Sequence, residues 1–488
     1  MISLWLTALY AALVSASSGC HTGAPEITWG NCTGALAVPG IQCGTYLVPL
    51  NWDSPKGEQI TLGMAKLPVL DPAKRIGNLF INPGGPGYSS AQWVGDIALG
   101  QRGYFGDELR THFDVIGLDP RGGGISTPVL CDIDLWNERV SLYPTDKESY
   151  QAMVSHWRAV GESCRNMTGP LMDHIDTINV ARDLEAVRVA LGNEKLNWLG
   201  LSYGTLIGAQ YAELYPGNFR SMVLDGVLQH SQDESSMLLA ESTTYDATLR
   251  EFFQWCGAAN SSCALAGRDV AKVWENLLDE AERKPIPAPT CGTRCRADVN
   301  AEEIRFGAQV LLFDSSTWDS LAWALLNATQ GDASALSTQL AVGDSSDSVL
   351  INLLATACVD WNSKSASIAD IQEKHVQANS FAPYSQGASM TYYLQTACIG
   401  WEHSVTNPPK PLEIIGSPMI LLVNSRYDPS TSYTWAMGVE REIGESARLL
   451  TRDGAGHTSY YTGGETSRAT DAYLVNLTLP DRGTVFKT

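Results

Sequence analysis

The chain has 488 residues, of which 44% are apolar and 18% charged, a balance that excludes an intrinsically disordered protein, which would hold fewer apolar residues and more charge. Its net charge of -20 repels phosphate, so neither nucleic acid nor anionic lipid is expected as a partner. The length exceeds one simple core and implies one large domain with an insertion, or two domains.

Residues 1–16, MISLWLTALYAALVSA, form an apolar run ending in small residues, with Val14 and Ala16 suited to the -3 and -1 positions of a signal-peptidase site. A cleaved signal peptide and a secreted, extracellular protein are expected. No later run of about 18 apolar residues exists, so no membrane span is expected. Eleven cysteines fit an oxidising compartment. Their spacing suggests local pairs: Cys32 with Cys43, Cys131 with Cys164, Cys256 with Cys263, Cys291 with Cys295, and Cys358 with Cys398, which leaves Cys20 odd. The CGTRC run at Cys291 could instead hold zinc, but no second close Cys or His pair accompanies it. Asn31, Asn166, Asn260, Asn327 and Asn476 lie in N-x-S/T sequons, glycosylation sites if the source is eukaryotic.

Two strands, TYLVPLNW and ITLGMAKLPVL, flank a turn at SPKGEQ and predict a hairpin. The apolar strands GNLFI and FDVIGLD each run into a glycine-rich loop, NPGGPGYSS and PRGGGIST, as strands do when helices cover both faces of a parallel sheet. From Thr177 to Gly192, Val180, Leu184, Val187 and Leu191 recur at helical spacing, with Thr177 as the expected N-cap. A short strand follows (Leu196, Trp198, Leu199, Leu201), then a turn at Ser202 and a helix ending at Pro216-Gly217. FRSMVLDGVL is one more strand, and the alternation predicts a doubly wound, mostly parallel α/β sheet. Between residues 229 and 411 helical stretches dominate and strand signals nearly vanish, which reads as an inserted helical cap. Residues 17–228 and 412–488 then form the core, with strands at SPMILLVN and SARLLTRDGAGH and a helix around ATDAYLVNLTLP.

Gly200-Leu201-Ser202-Tyr203-Gly204 matches G-x-S-x-G, the nucleophile elbow, in which the serine takes a strained conformation between a strand and a helix. The pentapeptide alone is weak, and the strand and helix around it raise its value. In a doubly wound sheet ligands collect beyond the carboxyl ends of the strands, where Asp428 lies in SRYDPST and His457 in DGAGHTS. A hydroxyl is a poor nucleophile until an imidazole takes its proton, and the imidazole needs a carboxylate to fix its tautomer. Ser202, Asp428 and His457 supply these groups in the chain order of α/β-hydrolases. Asp453 competes as the acid but leaves the same strand as His457. The backbone N-H of Tyr203 and of Gly85, in NPGGPG, are the expected oxyanion donors. That loop is not a phosphate loop, since no G-K-[ST] follows. Asp119 and Arg121, in LDPRGGG, read as a structural ion pair steadying the elbow.

The segments NLFINPGGPGYSS, FDVIGLDPRGGGISTP, LNWLGLSYGT, YAELYPGNFRSMVLDGV, SPMILLVNSRYDPSTSY and DGAGHTSY resemble the secreted tripeptidyl aminopeptidases of the proline-iminopeptidase-related α/β-hydrolases, which carry a TAP-like C-terminal region. The match covers Cys43 to Val227 and about Ser417 to Pro480, and is loose in the cap. The resemblance implies a serine exopeptidase with Ser202, Asp428 and His457 as triad, the glycine loop as oxyanion site, and a peptide with a free N-terminus as substrate. It implies no cofactor. Tyr88 stands where relatives often have another glycine, which would narrow the acyl pocket. An esterase could use the same machinery, since fold and triad do not fix the substrate; a silent binding protein on this scaffold is the third reading. Acidic cap residues (Asp233, Glu234, Glu241, Asp246) could hold a substrate ammonium, and nothing in the sequence selects one.

Overall fold

Strands that are apolar on both faces need cover on both, and the chain supplies it by sending helices alternately to either side of one sheet. The computed structural model describes residues 26–101, 103–258, 262–343, 349–401 and 404–487. The expected signal peptide, Cys20, the Asn260 sequon and His403 lie outside them. The first strands are β1 (Thr28–Gly30), β2 (Gln42–Pro49) and β3 (Gln59–Leu67), paired antiparallel in sequence. Next come β4 (Gly77–Asn82), α1 (Ser90–Ala98), α2 (Asp107–His112), β5 (Phe113–Leu118), α3 (Ile133–Asn137), α4 (Lys147–Thr168), α5 (Thr177–Ala190), β6 (Leu196–Leu201), α6 (Tyr203–Leu214) and β7 (Phe219–Asp225). The following stretch holds α7 (Glu234–Gly257), α8 (Val270–Arg283), the short strands β8 (Ile286–Pro287) and β9 (Asp298–Val299), α9 (Ala301–Leu311), α10 (Trp318–Ala328), α11 (Val349–Asp360), α12 (Ile368–Phe381) and α13 (Met390–Ala397). After it run β10 (Ile420–Tyr427), α14 (Tyr433–Ile443), β11 (Ala447–Ala455), α15 (Gly464–Asn476) and β12 (Val485–Lys487).

The main sheet has the order β1-β2-β3-β5-β4-β6-β7-β10-β11-β12. It is parallel from β5 to β12 and antiparallel at its β1–β3 end. Every residue of β4, β5 and β6 is buried. One face packs against α1, α2 and α15 through Val94, Leu109 and Leu474, the other against α5, α6 and α14 through Leu184, Leu206 and Val439. The mostly parallel, doubly wound sheet is the one the sequence predicts.

Three details differ from expectation or were not foreseen. The N-cap of α5 is Asp176, whose carboxylate accepts from Asn179 N, and Thr177 is the first helical residue; a carboxylate also suits the positive end of the helix dipole better than a hydroxyl does. Helix α4 was not foreseen, although Met153, Trp157, Val160 and Cys164 recur at helical spacing and all are buried. The long insertion divides by packing: α7 to α10 surround a core of their own, around Leu249, Trp274, Ile304 and Leu321, whereas α11 and α13 share the sheet's core with α4 through Leu354, Tyr392, Trp157 and Val160. All five expected disulfides are formed, including Cys291–Cys295 in the CGTRC run. Among the described residues, no helix is long and apolar enough to cross a membrane.

Candidate active site

Strand β6 ends at Leu201 and α6 begins at Tyr203, so the whole reversal falls on Ser202, held at φ 54° and ψ -123°. That region is costly for a residue with a side chain and persists only where the surroundings enforce it. Here they do: Ser202 N donates to Asp225 O at 2.9 Å, and Ser202 O accepts from Thr205 N at 2.8 Å. Gly200 lets strand and helix close up, since a Cβ there would lie 2.3 Å from Gly204 O.

The glycine loop after β4 lies directly against the elbow. Gly84 has φ +93°, and a Cβ on it would lie 2.6 Å from Leu201 O and 2.8 Å from Ser202 Cβ, so only glycine fits. Its own N-H is spent on Asn82 Oδ1 at 3.0 Å. The N-H groups of the next residue, Gly85, and of Tyr203 have no acceptor among the described residues. Both residues line one cavity with Ser202. Two unspent donors beside a hydroxyl are what an oxyanion site requires.

Asp428 ends β10's extension and His457 follows β11, a neighbouring parallel strand. Asp428 is fully buried. It accepts from Ser430 N at 2.9 Å, Thr431 N at 2.8 Å, Thr431 Oγ1 at 2.8 Å and Thr458 N at 3.2 Å. Its oxygens lie 2.9 and 3.0 Å from His457 Nδ1, which places the proton of the neutral ring on Nδ1 and leaves Nε2 with a lone pair able to accept a proton. Burial pushes the Asp428 carboxyl up, but the His457 charge and hydrogen bond, with the Thr431 and Ser430 N-H groups, outweigh it and hold it below its ordinary value. Burial pushes His457 down, and Asp428 beside it more than reverses this, leaving the imidazole above its ordinary 6.5. Ser202 Oγ makes no hydrogen bond to His457 in the free enzyme, yet both line a second cavity of about 1410 Å³. Such contacts commonly tighten only when substrate binds.

The rival acid is elsewhere: Asp453 pairs with Arg426 at 3.0 Å. Asp119 and Arg121 do not form the ion pair expected of them. Asp119 accepts from Ser89 Oγ, Ala91 N and Ile125 N at 2.8 to 3.0 Å and is pushed up to about 6 by burial. Arg121 instead clamps Asp183 at 2.6 and 2.7 Å and three carbonyls. The geometry behind this is that a guanidinium has five donors to satisfy when buried, and the Asp183 carboxylate with Pro49, Leu50 and His174 carbonyls surrounds it more completely than Asp119 could. Tyr88 lines the larger cavity, on the His457 side, and is absent from the smaller one beside Gly85 and Tyr203.

A profile described as alpha/beta hydrolase fold matches residues 77–278, and one described as TAP-like protein matches residues 382–486. The chain has the α/β-hydrolase fold, with a TAP-like C-terminal region. Serine protease Hip1 of Mycobacterium tuberculosis is 29% identical over 94% of this chain and 90% of its own. The tripeptidyl aminopeptidase of Streptomyces lividans is 28% identical over 93% of this chain and 84% of its own, and Carboxylesterase B of Mycobacterium tuberculosis 29% identical over 95% and 90%.

Four further residues shape the site, and none of them stands out in the sequence. Thr431 Oγ1 touches both Asp428 and, at 3.3 Å, His457 Nδ1. Phe313, from the insertion, accepts the backbone N-H of His457 on its carbonyl at 2.7 Å and sets its ring 4.8 Å from the imidazole. Buried Arg452 donates to Ala455 O, Gly456 O, Thr458 O and Ser459 Oγ at 2.9 to 3.1 Å, stapling the histidine loop. Asp225 holds the far side of that loop through Ser459 N and Tyr460 N at 2.8 and 2.7 Å. The sequence signal for Arg452 and Asp225 is a charge set at the carboxyl end of an apolar strand; Phe313 carries none.

Proposed function

We propose that the protein is a secreted serine exopeptidase that releases short peptides, tripeptides by analogy with its Streptomyces relative, from free N-termini, with Ser202, His457 and Asp428 as its triad. The observation that carries the reading is the cavity of about 250 Å³ at Ser202, bounded by the unspent N-H donors on one side and by helices of the insertion on the other. Residues 229–411 then act as the cap. An exopeptidase must measure its cut from a charged terminus, which takes a bounded pocket and an anionic group at a set distance from the nucleophile.

His457 Nε2 takes the Ser202 Oγ proton as the oxygen attacks the scissile carbonyl. The N-H groups of Gly85 and Tyr203 hold the negative oxygen, and Asp428 balances the imidazolium. His457 returns its proton to the leaving amine, and a water activated by the same ring then frees the acyl group from Ser202. Because the ring must protonate the leaving amine, the cavity it lines is the leaving side, and the smaller one receives the acyl peptide.

The Carboxylesterase B relative supports a second reading, an esterase on small acyl substrates. Fluorogenic peptide amides with free and acetylated N-termini separate the two. The exopeptidase cleaves the free form at least about 100-fold faster, about 2.7 kcal/mol, as expected for losing a charge-assisted contact in a desolvated site. Equal rates, or fast ester turnover with no peptide cleavage, overturn the peptidase reading.

A further inference from the structure

We propose that a third cavity, walled by α3, α4, α9 and α13 and adjoining the leaving side of the catalytic one, is an exosite for an apolar side chain of the substrate's leaving segment. The assignment rests on the exopeptidase reading above. It narrows the substrates to polypeptides that carry an aliphatic or aromatic residue beyond the cut.

The cavity holds about 390 Å³ and lies where the insertion meets helices of the sheet, a setting in which binding sites are common. Trp136 of α3, Trp157 of α4, Phe306 of α9 and Tyr393 of α13 wall it. The charged groups at its edge are already matched or face water: Arg139 and Arg296 both pair with Glu303, at 2.9 and 3.0 Å, Glu302 accepts from Leu142 N at 3.2 Å and from Ser141 Oγ, and Glu138 is mostly exposed. What is left for a ligand is aromatic and aliphatic surface. Such a cavity favours an apolar group and leaves a charged one without a partner. Trp157 adds one polar atom, since it is 6% exposed and its indole N-H has no acceptor among the described residues. That N-H suits a main-chain carbonyl of the bound segment.

The second observation is where the cavity leads. Val310, Leu350 and Met390 wall both it and the cavity of about 1410 Å³ that His457 lines. In the proposed mechanism the ring protonates the leaving amine, so this larger cavity holds the leaving segment. Around it, Val310 is 48% exposed, Leu350 37% and Tyr88 49%. Large apolar side chains gathered at one opening and left in water mark a surface that another molecule covers. The chain that the mechanism brings there is the leaving segment, still attached while the scissile bond breaks. Contacts this far from the reacting carbonyl still raise kcat/KM, and a short amide whose leaving group is a single dye cannot make them.

The test uses the full-length protein and peptides with a free trialanyl N-terminus, followed by a glycine-serine leaving segment in which one position at a time is Leu, Phe or Asp. At one or two positions kcat/KM is expected to be at least about tenfold higher with Leu or Phe than with Asp, as burial of one apolar side chain provides. Ala335→Trp, at an exposed residue of the cavity wall, is expected to bring that ratio below about 3, and fluorophosphonate labelling of Ser202 shows that the variant is folded. In Ser202→Ala, which cannot cut, a benzoylphenylalanine at the favoured position is expected to cross-link to Trp136, Phe306 or Tyr393. Cross-links confined to Tyr88, Trp255 and other walls of the His457 cavity overturn the exosite. So do equal rates with Leu and Asp at every position, or a labelling-competent Ala335→Trp that keeps the preference; each leaves the exopeptidase reading in place. No cleavage of any of these peptides by the wild type overturns that reading and the exosite with it. If instead p-nitrophenyl decanoate loses its advantage over the acetate in Ala335→Trp while no peptide is affected, the cavity holds an acyl chain and the assignment fails.

Discussion

At Asp428 and His457 two forces act against each other, and the outcome sets the working pH. Burial alone would favour the neutral form of both the carboxyl and the imidazole, yet their contact drives each toward its charged form. In the proposed mechanism only the neutral ring acts as base, so with a pKa raised above 6.5 kcat/KM should decline as pH falls through a value higher than that of a free histidine. A pH profile whose acid limb lies below 6 would contradict this. Removing the carboxylate charge in Asp428→Asn should lower kcat by roughly a thousandfold or more by spoiling the tautomer, while Asp453→Asn, whose partner is Arg426, should stay within about threefold. The reverse ranking would assign the acid to Asp453. Ser202→Ala should remain folded, lose fluorophosphonate labelling and lose several powers of ten in rate.

Helix α11 links the insertion to both proposed oxyanion donors. Its Asn352 packs on the glycine loop so tightly that a Cβ on Gly87 would lie 2.8 Å from Asn352 Cβ. At its other end Asp360 accepts from Thr177 N at 3.0 Å and from Thr177 Oγ1, which bonds Tyr203 OH at 2.8 Å. Asp360→Ala should therefore loosen Tyr203 and lower kcat about tenfold or more with little change in KM, in a protein that still folds; a pure KM effect would argue that α11 only shapes the pocket. Cys358 on α11 is bonded to Cys398, 40 residues on. A loop of that length predicts a loss of roughly 4 kcal/mol when Cys358→Ser and Cys398→Ser are combined, measured by denaturant unfolding. The five disulfides take ten of the eleven cysteines, so denatured, unreduced protein should titrate with at most one thiol.

Across the molecule, buried carboxyls bias stability toward mild acid. Burial pushes Asp119 and Asp225 up to about 6 and Glu241 and Asp360 up to about 7. Each binds its proton at a higher pH folded than unfolded, so folding takes up protons between about pH 4 and 7 and stability grows as pH falls through that window. The raised His457 acts in the same direction, since its contribution is lost as pH rises through its folded value. Asp428, held low, acts oppositely, but only below its ordinary 3.8. Relief of the net charge of -20 adds to the trend. The melting temperature should be several degrees higher at pH 5 than at pH 8, while activity runs the other way; a flat or inverted melting profile would show that these carboxyls ionise freely in the folded protein.

The local signals in the chain were sufficient for the sheet, the elbow and the pairing of cysteines. Apolar strands such as GNLFI and LNWLGL, glycine at positions 200 and 204, and short cysteine spacings each express a constraint between near neighbours, and such constraints are written in adjacent residues. The α4 stripe of Met153, Trp157, Val160 and Cys164 is equally present in the sequence, diluted by the polar residues between. What folding alone decided depends on groups far apart in the chain. Asp119 and Arg121 are two residues apart but face different partners, Arg121 reaching Asp183. Phe313 comes to His457 from the insertion. Asp233, Glu234, Glu241 and Asp246 look alike as sequence, and only the fold pairs Glu234 with Lys374 and Asp246 with Arg250. Charge type is a property of a residue, whereas countercharge and burial are properties of its surroundings, and those exist only once the chain has folded.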